Sequence, residues 1–131
     1  MEITLALLAD AANRAESGKL NLLGVFHKIH AATMPCQHPL MALVVELEAS
    51  ALERGTTSKI GVQLIDEDGH TVLALPEQLL VIPVNENTLT PNVNFIFNLV
   101  NVHFERYGAY RFEISVDGRR LGNISLAVTS D

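Results

Sequence analysis

Nitrogen and sulfur side chains that could bind zinc occur close together in the first third of the chain. His27, His30, Cys36 and His38 fall within twelve residues, and zinc accepts both kinds of ligand. On a strand, however, His27 and His30 would point to opposite faces, and the spacing matches no zinc motif. We therefore expect no metal, and a metal-dependent protein that uses His27, Cys36 and His38 is kept as an alternative.

A pair of carboxylates could do acid–base chemistry. Glu46 and Glu48 lie on one face of an apolar strand, about 6 to 7 Å apart along the chain, which is near the separation found in inverting glycosidases. No aromatic cleft accompanies the pair, and acidic side chains are ordinary at the polar end of a strand. A small hydrolase that uses Glu46 and Glu48 is therefore the alternative function.

The stretch Asp66-Glu67-Asp68-Gly69-His70 begins like a calcium loop. It lacks the spaced oxygen ligands and the final glutamate of an EF-hand, and these residue types also suit a hairpin turn. Nucleophile and nucleotide motifs such as G-x-S-x-G and the P-loop are missing. We therefore predict a non-enzymatic protein-binding or assembly module without a cofactor, and the sequence identifies no small-molecule ligand.

The elements that would position these side chains are clearest near the end of the sequence. Apolar and polar residues alternate between Tyr107 and Val128 on both sides of Asp117-Gly118. Alternation is the pattern of strands with one buried face, and Asp-Gly favours a type I′ turn. The segment is predicted to be a β-hairpin.

The first segment admits two interpretations. The alanine and leucine content of Ile3–Asn13 favours a helix, but its apolar residues also alternate as in a strand. A turn at Glu16–Lys19 precedes the β-like segment Leu20–His30, and consecutive strands tend to pair. We therefore predict that Ile3–Asn13 is a strand paired with Leu20–His30.

The remaining chain predicts further strands separated by turns. Ala31–Pro39, which holds two prolines, is predicted to be a loop, and strong strands follow it. About eight strands at this spacing favour an all-β, antiparallel two-sheet sandwich, immunoglobulin-like or C2-like, with a closed β-barrel as the alternative. At 131 residues, a single domain over 1–131 is expected.

Three stretches resemble a known family. They are LLADAA at 7–12, GKLNLLGVF at 18–26 and G-x-Y-x-F-x-I-x-V-D-G at 108–118, and they resemble a family of small uncharacterised bacterial proteins, a domain of unknown function. The resemblance spans almost the whole chain. It implies a β-rich fold and brings no activity and no catalytic residues.

Composition narrows the set of partners. The net charge is −6, from 15 acidic and 9 basic residues, whereas nucleic-acid binding requires clustered Lys and Arg. The lone Cys36 excludes an intramolecular disulfide and favours the cytoplasm. Glu2 stands where a signal peptide would be basic, and no apolar run is long enough for a membrane span. We expect neither nucleic acid nor membrane as a partner.

One apolar run indicates an interaction surface. LLVIPV at 79–84 holds no charge, and Pro83, which lacks a backbone donor, belongs at a sheet edge. Such an edge must be covered either by the chain itself or by a partner. We predict that the run contacts a protein partner or a second copy in a homodimer through Leu79, Leu80, Val81, Ile82 and Val84.

Overall fold

A computed structural model describes residues 1–84 and 90–131. Most of these residues lie in strands, and one short 3₁₀ helix spans Ala51–Glu53. The strands are β1 (Glu2–Arg14), β2 (Leu20–Phe26), β3 (Lys28–His30), β4 (Cys36–Glu48), β5 (Thr57–Asp66), β6 (Thr71–Ala74), β7 (Gln78–Val81), β8 (Asn92–Phe104), β9 (Gly108–Val116) and β10 (Arg119–Thr129). No helix in the described ranges is long and apolar enough to cross a membrane.

The strands form two sheets of a sandwich. The first sheet has the order β2-β1-β4-β8, and the second has the order β3-β10-β9-β5-β6, with β7 also paired to β5. Neighbouring strands are antiparallel except for β3 and β10, which are parallel. Over the described residues neither sheet closes on itself, so the fold is an all-β sandwich and the barrel alternative is wrong.

The core lies between the sheets and consists of the inward side chains of both. Phe104 and Phe112 are fully buried, and the rings of Phe104 and Tyr110 meet edge to face with centroids 5.0 Å apart. The Tyr110 hydroxyl donates to the Arg106 carbonyl at 2.6 Å, as in the tyrosine corner of other β-sandwiches. This bond fixes the entry into β9.

The two predicted hairpins are present. β1 pairs with β2 from Leu8 opposite Phe26 to Arg14 opposite Leu20, so the strand interpretation of the first segment is confirmed. β9 and β10 are joined at Asp117 and Gly118, whose φ angles of 51° and 78° are both positive, as a type I′ turn requires.

The pairing predicted for Leu20–His30 is wrong at its end. β2 stops at Phe26, and β3 leaves the first sheet to pair with β10. The reason is burial: Ile29 lies opposite Val128, and both side chains belong to the core.

The predicted loop Ala31–Pro39 is shorter than expected. β4 begins at Cys36, because Cys36 and His38 pair with residues of β8. Cys36 lies opposite Phe104, and His38 lies opposite Val102. The sequence Cys-Gln-His-Pro at 36–39 has no alternation of apolar and polar residues that would have marked the start of the strand, so the pairing with β8 decides where it begins.

The end of the β1–β2 hairpin folds over the outer face of the first sheet. Residues 41–45 of β4 are all fully buried, so the face turned away from the sandwich core is also covered. Arg14 donates from Nε to Asn94 Oδ1 at 2.6 Å and from Nη2 to the Asn94 carbonyl at 3.2 Å. Because β1 does not pair with β8, Arg14 must reach Asn94 across β4.

A glycine permits the bend in this hairpin. Gly24 has a φ of 70°, and a side chain at this position would overlap the Asp10 carboxylate opposite it. The lack of a Cβ therefore lets β1 and β2 approach each other where they turn over the sheet.

The apolar run at 79–84 is divided between core and surface. β7 pairs with β5, which confirms its position at a sheet edge. Leu80 and Ile82 are 0% and 1% exposed and face the core, so their side chains are not on the surface that a partner could contact. Leu79, Val81 and Val84 are more than half exposed, and their contact with a partner stays a prediction.

Candidate binding cleft at the open side of the sandwich

A cleft of about 680 Å³ lies between β6 and β8, the edge strands of the two sheets on one side of the sandwich. Its volume falls within the range of ligand-binding pockets. Leu73 and Leu75 on one side and Leu99 and Val102 on the other supply apolar lining. Val100 stands at the rim and is 66% exposed. The cleft is a groove with an apolar interior, open to solvent along β8.

Charged side chains gather at one end of the cleft. Asp66 and His70 come from the β5–β6 turn, and Arg106 comes from the connection between β8 and β9. Arg106 Nη2 lies 3.1 Å from Asp68 Oδ2 and 3.4 Å from Asp66 Oδ2. The guanidinium thus joins the β5–β6 turn to the end of β8.

The acidic turn is held by its own hydrogen bonds. Asp66 Oδ1 accepts from the backbone N–H groups of Asp68 at 3.0 Å and of His70 at 2.9 Å. The His70 backbone bond is the main cause that lowers the pKa of Asp66, and the His70 and Arg106 charges lower it further. The hairpin turn predicted for this segment is confirmed.

The same turn is the place where metal ligands come together. One ligand atom from each of Asp66, Asp68 and His70 lies within 4.8 Å of the others. The Arg106 guanidinium already contacts both carboxylates, so a cation would have to compete with a resident positive charge. The chemistry of the cluster is that of an ion-paired turn that keeps one end of the cleft in place.

Charge on Asp66 is expected to stabilise the fold in a pH-dependent way. Its pKa is held below the ordinary value of 3.8, so the stabilisation is present above that pH and is lost as the pH falls through the folded-state pKa. Asp66→Asn keeps the side-chain acceptor and removes the charge. In urea titrations it should be less stable than the parent at pH 7, and the difference should shrink toward pH 3. Asp131→Asn is the control, and an equal effect in both variants would contradict this assignment.

A second polar pair stands on β8 and just after it. His103 Nε2 lies 2.7 Å from Glu105 Oε1, and both side chains are largely exposed. Both residues border the cleft. Together with Arg106 they give this end of the cleft charged hydrogen-bonding groups of both signs.

The structure does not assemble the zinc ligands considered from the sequence. Over residues 1–84 and 90–131, the ligand atoms found together are those of Asp66, Asp68 and His70, and His27, Cys36 and His38 form no such group. His27 is exposed on the link between β2 and β3, whereas the His38 ring packs against Phe26 with centroids 5.8 Å apart.

The carboxylate pair also lies away from the cleft. Glu46 and Glu48 are half-buried in β4, and neither lines the cleft. Glu46 lies opposite Leu5 and Asn94, and the Thr4 hydroxyl donates to its carbonyl at 3.3 Å. The pair therefore belongs to the end of the first sheet.

The sequence interpretation did not single out Arg106, His103 or Val100. One available signal was the mixed character of β8, in which both faces carry apolar residues. A strand with two apolar faces at the edge of a sheet leaves one of them next to solvent or a partner. Nothing local in the sequence linked Arg106 to Asp66, because they are 40 residues apart.

Comparison with other proteins identifies a family whose function is unknown. No curated protein matches the chain. The alkylpurine DNA glycosylase AlkC of Pseudomonas fluorescens, solved bound to DNA containing an abasic site analog, is similar with a TM-score of 0.48 and 11% identity. The match covers 98% of this chain and 30% of that one, and at this similarity it carries no argument. The model of the family of unknown function DUF6941 matches residues 4–129, which confirms that the chain resembles a family of unknown function. The chain belongs to this family.

Proposed function

We propose that this protein is a non-enzymatic binding and assembly module that accepts an extended polypeptide segment along β8. The observation that carries the proposal is the open edge of this strand. β8 is 13 residues long, and within the described residues it pairs with β4 alone. An edge of this kind offers backbone donors and acceptors to an added strand. Along this edge the Asn94 carbonyl already accepts a bond from Arg14 Nη2 at 3.2 Å, and an added strand would share or displace that bond.

The cleft supports this proposal because it lies directly beside the open edge. A strand added to β8 would send alternate side chains toward the second sheet, where the cleft offers Leu73 and Leu75. Backbone pairing would supply affinity, and the apolar cleft would select the side chains that enter it.

The electrostatics of the polar end favour recognition over acid–base chemistry. Asp66 and Asp68 share Arg106, and the lowered pKa of Asp66 keeps its carboxylate charged at neutral pH, so it is a poor proton donor. The net charge of −6 disfavours nucleic acid as the partner, and the lone thiol of Cys36 suits a cytoplasmic protein.

A selection from a phage-displayed library of random peptides tests the proposal. Selected peptides should alternate apolar and polar residues, and hydrogen exchange should show that they protect the amides of residues 92–100. Val100→Lys places a charge on the edge and should weaken their binding at least about tenfold.

The matched control for this experiment is Asn123→Lys. Asn123 is exposed on β10 of the second sheet and does not line the cleft, so its lysine variant should bind the peptides as the parent does. Peptides that protect other strands, or that bind Val100→Lys with unchanged affinity, would contradict the proposal.

A further inference from the structure

We infer that the strand added to β8 is β8 of a second copy of this chain, an inference that rests on the proposed function and names its partner. The sequence of the strand is close to a palindrome. On each side of Ile96 the sequence continues with a phenylalanine, then an asparagine, then an aliphatic residue. The matching positions are Phe95 and Phe97, Asn94 and Asn98, and Val93 and Leu99.

A palindrome of this kind is self-complementary in an antiparallel pair. If a two-fold axis passes midway between the two copies of Ile96, each residue of one strand lies opposite its matching position in the other. Aromatic pairs and hydrogen-bonded polar pairs that lie opposite each other on one face stabilise a sheet. Phenylalanine would then lie beside phenylalanine, and asparagine beside asparagine, in a sheet of eight strands continuous across the two copies.

The asparagine pair already has suitable hydrogen-bonding groups. Asn94 Oδ1 accepts from Arg14 at 2.6 Å, which leaves its Nδ2–H groups as donors toward Asn98 of the other copy. Asn98 is exposed on the same face of the sheet. The bond from Arg14 fixes the Asn94 side chain in advance, so less freedom is lost on association.

The charge pattern removes the main obstacle to this pairing. Two copies that each carry a net charge of −6 repel each other, and symmetry brings matching parts of the surface together. β8 has no charged side chain from Asn92 to Val102. A second copy that approaches along this edge meets uncharged side chains of the strand, together with the Arg14 guanidinium that is bound at Asn94.

The other edges are less suitable. β3 has three residues, and β6 and β7 have four each. β10 is covered by β3 only over residues 127–129, and its uncovered part begins with the charged residues Arg119 and Arg120. β2 is interrupted by the positive φ of Gly24 and belongs to the hairpin that folds over the sheet. β8 keeps extended geometry over Asn92–Val100 and meets its first positive φ at Asn101.

The two-fold pairing also fills part of the cleft. In this register Val93 of the other copy lies opposite Leu99, which lines the cleft. Both residues lie on the face of β8 that carries Phe97 and the core. Val93 would therefore point toward the cleft, so the binding site and the self-association surface are the same.

Sedimentation equilibrium over a concentration series tests the inference. The parent should pass from a 14.3 kDa monomer to a dimer, and Asn98→Lys should raise the dissociation constant at least about tenfold, because an edge charge opposes strand pairing. Asn123→Lys is the matched control and should dimerise as the parent does. Thermal melts should show that both variants are folded.

Disulfide trapping tests the register. In a Cys36→Ser background, Ile96→Cys should form a dimer by oxidation, because residues opposite each other in an antiparallel pair have Cα atoms at a distance that a disulfide spans. Asn94→Cys and Asn98→Cys should crosslink poorly alone and well when mixed. Asn123→Cys should not crosslink.

The outcomes separate this inference from the proposed function. If the parent is a monomer but still binds selected peptides along residues 92–100, the inferred self-association is wrong and the proposed peptide binding stands. A dimer that survives Asn98→Lys but is lost in Leu79→Lys or Val81→Lys places the interface on β7 and overturns the inference. A parent that neither dimerises nor binds peptides overturns both.

Discussion

Leu80→Lys is expected to destabilise the protein strongly, whereas Leu79→Lys leaves its stability nearly unchanged. The two residues are neighbours in β7, and their side chains are 0% and 64% exposed. A lysine at position 80 would lose the burial of a leucine and place an ammonium group in the core, at a cost of about 4 kcal/mol or more. Stabilities of small domains are about 5 to 15 kcal/mol, so a loss of this size would remove from about a quarter to about four fifths of the stability of such a domain.

Urea titration followed by circular dichroism measures the difference between the two variants. Ile82→Lys should behave like Leu80→Lys, because Ile82 is 1% exposed, and Val81→Lys should behave like Leu79→Lys. If Leu79→Lys and Leu80→Lys were equally stable, the assignment of alternate β7 residues to the core would be wrong.

Val44→Asp is expected to destabilise the protein by about 3 to 5 kcal/mol, the cost of an uncompensated charge inside a protein. Val44 lies on the outer face of the first sheet, opposite Leu7 and Ile96, yet it is 0% exposed. A carboxylate there would have to be buried, or the β1–β2 hairpin would have to swing away from the sheet.

Leu40→Asp is the control for this prediction. Leu40 lies in the first half of β4 and is 49% exposed. An aspartate there stays in contact with water, so the substitution should lower the free energy of unfolding by less than about 1 kcal/mol. Hydrogen exchange can also detect an opened hairpin, as faster exchange at residues 11–22. Equal tolerance of aspartate at both positions would show that the hairpin does not cover the sheet.

The parts of the fold that were predictable depend on local chemistry. Asp117-Gly118 specifies a turn by its own backbone preferences, and the flanking alternation specifies the strands. The β5–β6 turn is similar, since Asp66 bonds to backbone groups within four residues. In such segments the sequence holds nearly all the interactions that decide the structure.

The parts that were not predictable depend on distant partners. β3 continues the apolar pattern of β2, and only the parallel pairing with β10 moves it to the other sheet. The start of β4 depends on Phe104, far along the chain. The burial of Leu80 and the exposure of Leu79 depend on which face of β7 meets the core, and a short apolar run does not reveal this.

The candidate site was missed for the same reason. Its apolar lining comes from two strands of different sheets, and its polar end joins Asp66 to Arg106. Each of these segments looks like ordinary strand or turn in isolation, and the cleft exists only where the two sheet edges face each other. The candidates that were visible in the sequence were clustered along the chain, and the structure places them elsewhere.

The parallel pair of β3 and β10 has a consequence for how the protein is made. Lys28 and Ala127 are neighbours in the sheet, although they are 99 positions apart in the sequence. On a ribosome the early strand must therefore wait for the late one, and Ile29 stays uncovered during that time. Contacts between residues this far apart slow folding and prolong the exposure of apolar surface, so nascent chains should depend on chaperones until β10 emerges.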